Sequence, residues 1–227
     1  GLVPTLLVVP TDRVTLLDAD PTIALSQYPL ASIAADGSSM EVDARTSLAG
    51  ADGIKVGDLI LFTNANGSAM QMVTSAPDGQ TVAFALNDAL HLNQRAATQG
   101  TLLSLQSSPG VFPPTTATRL EMISYYIDAL TDPTLPRLIR RVNDNDPLVI
   151  AMGIENLQLS YDIVDGDTNP SNVDDLPAGA SANQLRKVNV FLSGRSEDKT
   201  TPTGEYFRNS MTTDVGLRSL SYVDRYR

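Results

Sequence analysis

A mainly β fold, with antiparallel sheets and a small barrel-like module, is what this sequence predicts. Apolar residues recur at every second position along most of its 227 residues, the period of a half-buried strand. Asn-, Asp-, Gly- and Pro-rich turns separate these stretches at hairpin spacing. Amphipathic helical patterns are few. The chain is 42% apolar, enough to build a core and too much for a wholly disordered chain.

The elements follow in order. Gly1 to Pro10 is apolar but broken by Pro4 and Pro10, and reads as an extended lead-in. Arg13–Leu17 predicts the first strand. In Ser39–Ala44, Met40, Val42 and Ala44 share one face. Gly57–Thr63 is apolar on both faces, as a fully buried strand is. Asn64-Ala-Asn-Gly67 is a turn, with Ala69–Thr74 returning as its hairpin partner. Pro77-Asp-Gly79 turns again before a strand over Thr81–Leu86, and Thr101–Leu105 completes the set. Asn87–Gln99 reads equally as a loop or a short helix. Ile54–Phe62, where Gly57-Asp58 turns the chain into the buried strand, has the local logic of small β-barrels and carries little functional meaning.

Ser108-Pro-Gly-Val-Phe-Pro-Pro114 is a stiff, extended connector. It divides the chain into a lead-in with a β-rich module, 1–117, and a second β domain, 118–227. There, Arg119–Asp128 is rich in β-branched and aromatic residues. Thr131–Pro136 is a turn and Arg137–Val142 the returning strand. After the turn Asn143–Pro147, Pro147–Gly153 begins a short strand or a helical turn. Leu157, Leu159, Tyr161 and Ile163 alternate cleanly with Gln158, Ser160 and Asp162. Val188, Val190 and Leu192 share a face, as do Phe207, Met211, Thr213, Val215 and Leu217.

Composition excludes several functions. Sixteen basic against 26 acidic residues leave a net charge of −10, which repels polyphosphate, so nucleic acid is not an expected partner. With no cysteine, thiol catalysis, Cys-ligated zinc and disulfides are excluded. No apolar run is long enough to span a bilayer. The one histidine, His91, has no nucleophile motif around it and reads as a loop or core residue. No P-loop, G-x-S-x-G, G-x-G-x-x-G or H-E-x-x-H pattern occurs. Paired carboxylates leave little trace in sequence, but the aromatic platforms that usually accompany glycosidase sites are scarce without tryptophan. The expectation is a protein that is not an enzyme.

One segment invites a ligand. Asp165, Asp167 and Asn169 stand at alternating positions, as in the D-x-D-x-N start of a calcium loop, with Asp174 and Asp175 available to complete a shell of hard oxygens. Gly166 eases the bend. Pro170 stands where an EF-hand has glycine, and the closing glutamate is missing. The competing reading is a solvated turn, since the same residue types form turns.

The second half carries a family resemblance through the order of its segments. Ile123-Ser-Tyr-Tyr-Ile-Asp128 and Leu138-Ile-Arg-Arg-Val142 are similar to the "x-Y-Y-I" and "L-x-R" strands of the PilW-type minor pilins of Gram-negative type IV pili. Pro147 to Tyr161 (PLVIAMGIENLQLSY) resembles their "L-V-x-G-I-E-x-L-Q-x-x-Y" segment and is the most specific stretch. Asp165-Gly-Asp167 stands where an acidic loop commonly follows. Leu185–Arg195 and Tyr206–Arg218 resemble the closing "V-x-x-V-r-V-x-L-x-x-R" and "y-R-r-x-f-x-t-t-V-x-L-R" strands. The likeness covers about residues 118–218, and the Gly57-Asp58 module fits more loosely.

The resemblance implies a pilin-like antiparallel sheet in 118–227, and an α+β fold in a full-length protein that begins with a leader peptide, a cleavage glycine and a long apolar helix. None of these lies within the 227 residues, so the resemblance implies a helix removed or processed away. It further implies a structural subunit for pilus assembly, initiation or a tip complex, with other major and minor pilins as partners. Such a subunit is anchored in the inner membrane through that helix, then placed in a periplasmic or extracellular filament. A minor pseudopilin of type II secretion is the nearest alternative. An adhesive or ligand-binding β-module is another, favoured if Tyr28, Tyr125, Tyr206, Tyr222 and Tyr226 cluster on the surface.

Overall fold

The structure is a computed structural model that describes residues 10–20, 30–43, 53–76, 80–200 and 204–217. The lead-in 1–9, Ala44, the turn Pro77–Gly79, and Tyr28, Tyr222 and Tyr226 lie outside these residues. The described chain is mainly β with antiparallel sheets, as its two-residue periodicity predicts. It forms two compact units interleaved in sequence, one of Thr15–Ser124 with Arg141–Pro147, the other of Gly1–Val14, Tyr125–Arg140 and Leu148–Arg227. The sequence reading divides the chain once, after residue 117. Strands β7 (Thr116–Asp128) and β8 (Arg137–Val142) contribute residues to both units.

In the first unit, β1 (Val14–Ala19) pairs with β7, and β2 (Leu30–Ile33), β3 (Ser39–Val42) and β6 (Thr81–Ala83) form a three-stranded sheet in that order. The hairpin of β4 (Leu59–Asn64) and β5 (Gly67–Met72) closes at Asn64↔Gly67, with the Asn64 side chain accepting the Asn66 amide at 2.8 Å. Strand β4 also pairs with β7, from Leu59↔Leu120 to Thr63↔Thr116. Its apolar residues on both faces have a direct cause. Ile60 and Phe62 enter a core with Met40, Val73, Val82 and Phe84, whereas Leu59 enters a second cluster with Met72 and Leu120. Phe62 and Phe84 meet edge to face at 5.7 Å, the favoured aromatic geometry.

Two expectations are corrected in this unit, and one unforeseen strand is added. Thr101–Leu105 is no strand: Leu102–Leu105 is a turn of 3-10 helix. Its three-residue period places Leu102 and Leu105 together in the core, and the Thr101 hydroxyl is tied to the Ala96 and Thr98 carbonyls. Strand β6 ends at Ala83 rather than Leu86, where Phe84 is drawn into the core. Strand β2 was not expected, because Leu30-Ala-Ser-Ile33 alternates too briefly to stand out. The ambiguous Asn87–Gln99 stretch is a loop. Asp88 is buried and accepts the amides of Leu90, Leu92 and Asn93, while the Asn93 side chain bonds to both backbone groups of Met72. His91 sits exposed in that loop with φ +55.

In the second unit, Pro147–Gly153 resolves as strand β9 (Leu148–Met152), paired with β8 around an extra residue at Ile150. Only Gly153 separates β9 from β10 (Ile154–Ile163). Its φ is +72, and a Cβ there would collide with the Arg195 carbonyl. The corner therefore needs glycine on both counts. Strands β10, β11 (Leu185–Thr200) and β12 (Glu205–Gly216) form an antiparallel sheet in that order. The expected turn before β8 is fastened by Asp128, which accepts the Leu130 and Thr131 amides and pairs with Arg137 at 2.5 Å.

Candidate functional site

The β10–β11–β12 sheet presents two unlike faces because its register keeps the sequence alternation in step. Leu157↔Leu192↔Met211, Leu159↔Val190↔Thr213 and Tyr161↔Val188↔Val215 lie directly opposite one another. All nine therefore belong to one face. Burial falls across it: Leu157 is buried, Val188 and Val190 are half-buried, and Phe207, Met211 and Val215 on β12 are 66%, 60% and 51% exposed. The other face is mainly polar, with half-buried Phe191 lying between Gln158 and Thr212. There Glu155 pairs with Arg208 at 2.8 Å and with Arg195 at 3.4 Å, and Arg195 stacks over the Tyr206 ring at 4.0 Å.

The two edges differ as well. Along β10, the Asp12 amide donates to the Leu157 carbonyl at 2.8 Å, and the Asp12 carboxylate accepts the Leu159 amide at 2.7 Å. Further along, Tyr161 and Val173 exchange two backbone bonds. Between these attachments lies an open cavity of about 680 Å³, floored by Leu159, Tyr161 and Leu185 and rimmed by Asp12, Asp174 and Asp175. The contact of Asp12 with β10 was not legible in sequence, since 147 residues separate it from Leu159 and nothing local marks it.

The acidic loop is organised around one carboxylate. Asp165 accepts the amides of Asp167 and Asn169, both at 2.9 Å, and the Thr168 hydroxyl at 2.8 Å. These donors, the Asn169 amide foremost, hold its carboxyl down at about 2. Asn169 and Asn172 take positive φ values of 46° and 53°, a conformation asparagine tolerates. The loop closes at its neck, where Ile163 donates to Pro170 and Val164 to Gln184. Asp174 and Asp175 line the cavity described above, whose lining does not include Asp165, Asp167 or Asn169. Among the described residues, no three acidic or histidine side chains are gathered to hold a metal ion. Loop donors take three of the roughly four acceptor positions of the Asp165 carboxylate.

Of the tyrosines considered for adhesion, Tyr206 is engaged by Arg195 and Tyr125 is half-buried in β7. In the first unit, His91 borders a second open cavity of about 620 Å³, whose floor includes Leu61, Met70 and Leu120. No nucleophile–histidine hydrogen bond is formed there among the described residues. No family model, curated protein or solved structure matches this chain.

Proposed function

We propose that this chain is the β-rich head of a minor type IV pilin, a filament subunit whose work is contact rather than chemistry. One observation carries the reading: the apolar face of the β10–β11–β12 sheet, which ends in exposed Phe207, Met211 and Val215. An apolar sheet face of this extent needs a covering element, and a long apolar helix preceding the head is the element a pilin supplies. The order of segments from Ile123 to Gly216 supports the same reading, with Gly153 of the most specific stretch at a corner only glycine fits. On this view the sheet is pilin-like, the Gly57-Asp58 unit is a barrel-like elaboration, and the partners are other pilins beside an inner membrane.

The experiment is deletion of the gene in the organism that encodes it, with surface pili and secreted proteins both measured. Loss of pili, restored by the complete reading frame, supports the pilin. Normal pili with blocked secretion moves the assignment to a minor pseudopilin. Normal pili and normal secretion end both readings. Sequencing upstream of Gly1 provides a second check, because the proposal requires a leader peptide followed by about 20 apolar residues.

A further inference from the structure

We propose that β12 is a self-association edge. Two copies of this chain pair antiparallel through Tyr206–Gly216 about a two-fold axis at Met211, joining their three-stranded sheets into one of six strands.

Strand β12 has a single strand neighbour, β11, among the described residues. Nine consecutive pairs, Lys187↔Gly216 to Arg195↔Arg208, hold it without a bulge. Over Tyr206–Gly216 its outer edge therefore presents a row of backbone donors and acceptors with no strand partner among the described residues; the Ser210 amide in that stretch is bonded to the Asn209 side chain at 2.9 Å. Charges of both signs stand along the strand at Glu205, Arg208 and Asp214, but two other devices that blunt such edges are missing. It contains no proline and no lysine, and among the described residues nothing lies along it as Asp12 and Val173 lie along β10.

The side chains select a second copy as the occupant. With Met211 opposite its own counterpart, Phe207 faces Val215 and Asn209 faces Thr213 on the apolar face. On the polar face Arg208 meets Asp214, and Ser210 meets Thr212. Arg208 already bonds to Glu155 and Asp214 already pairs with Lys187 at 3.2 Å. The new contact completes a row, Glu155–Arg208 of one copy and Asp214–Lys187 of the other, that alternates in sign. Symmetry repeats it on the far side of the axis. Sliding the pairing by two residues sets Met211 against Asn209 or Thr213 and separates Arg208 from Asp214. Apolar matching and charge matching thus choose the same register. The net charge of −10 on each copy opposes approach at low ionic strength, so the pairing belongs at physiological salt.

The test uses the 227-residue chain. Sedimentation velocity from low to high micromolar concentration is expected to show a monomer–dimer equilibrium. Met211→Lys sets two like charges opposite each other on the axis and weakens that equilibrium by at least about tenfold. Because the chain has no cysteine, Met211→Cys is a clean reporter. Opposed residues in an antiparallel pair lie ~4.5–5.5 Å apart at Cα, within disulfide range. Two Met211→Cys chains should therefore cross-link when a mild oxidant removes two electrons and two protons. Asn209→Cys and Thr213→Cys should each fail alone and cross-link when mixed. All these positions are exposed, and circular dichroism verifies that each variant is folded. Monomers at every concentration, a dimer unaffected by Met211→Lys, or equal cross-linking from all three single variants would each overturn the proposal. It stands independently of the pilin assignment.

Discussion

Arg119 donates through Nε to the Asp20 carboxylate at 2.6 Å, and the two side chains are only 12% and 5% exposed. The same guanidinium reaches the Gly53 carbonyl at 3.0 Å and Asp58 at 3.3 Å through Nη1, and Asp58 in turn accepts the Lys55 amide. One arginine on β7 thus fastens the strand end at Asp20 and the turn that launches β4. The pair matters chiefly for what its loss leaves behind, a buried cation without its nearest counter-charge. Asp20→Ala should lower unfolding free energy by about 3 kcal/mol, the low end for a broken buried pair because Asp58 remains. Urea unfolding measures it, and a loss no larger than that of an exposed pair refutes the burial argument.

Gln71 presents the opposite case. Its side chain is fully buried in β5, and its Nε2 donates to the Met70 carbonyl at 2.9 Å, but Oε1 has no partner among the described residues. A buried acceptor left unmatched forfeits its hydration without return. Gln71→Leu, close in volume, should raise unfolding free energy by about 1–2 kcal/mol. A destabilised variant would mean that Oε1 does find a partner.

These two residues mark how far the sequence could be read. Alternation made β10, β11 and β12 legible because their apolar positions share a sheet face, and an apolar run on both faces followed by the Asn64–Gly67 turn made the β4–β5 hairpin legible. It concealed Leu102–Leu105, where two leucines three apart suit a strand or a 3-10 turn, and the decision rests on packing in the core. The Asn87–Gln99 loop was equally opaque. Its order comes from Asp88 and Asn93 bonding across folded space, and neither residue stands out from other turn formers. The self-complementary pattern of β12 was present in the sequence, but it acquires meaning only once Glu205–Gly216 is known to be an outer strand.

The two readings of the acidic loop differ in what calcium does. With the Asp165 oxygens already accepting three donors, added Ca²⁺ and added EDTA should both leave the thermal midpoint unchanged. Asp165→Ala should still lower stability, since it releases the Asp167 and Asn169 amides from their acceptor. A calcium-dependent rise in Tm that Asp165→Ala and Asp167→Ala both abolish would restore the cation loop.

Acid should act through the same carboxylates. The Thr131 hydroxyl and amide, with Arg137, hold Asp128 well below the usual carboxylate range. The Thr134 hydroxyl and amide lower Asp132. The Asn189 side chain and Asn172 amide lower Asp162, and the loop amides hold Asp165 at about 2. A carboxyl whose folded value is depressed contributes stability above its unfolded value and loses it as pH falls through the folded one. Between those values the unfolded chain binds more protons, so acid favours unfolding. Urea midpoints should therefore hold steady near neutrality and fall as pH drops from about 4, the unfolded aspartate value, toward 2. All four groups lie near the surface, which keeps each contribution small, so the slope rather than any single residue's share is the quantity to measure. Asp165→Asn should flatten the curve in that window and leave it unaltered between pH 6 and 8, where both forms of the chain carry the ionised carboxylate. An unchanged acid slope in Asp165→Asn would show that the loop amides do not discriminate between the charged and neutral carboxyl.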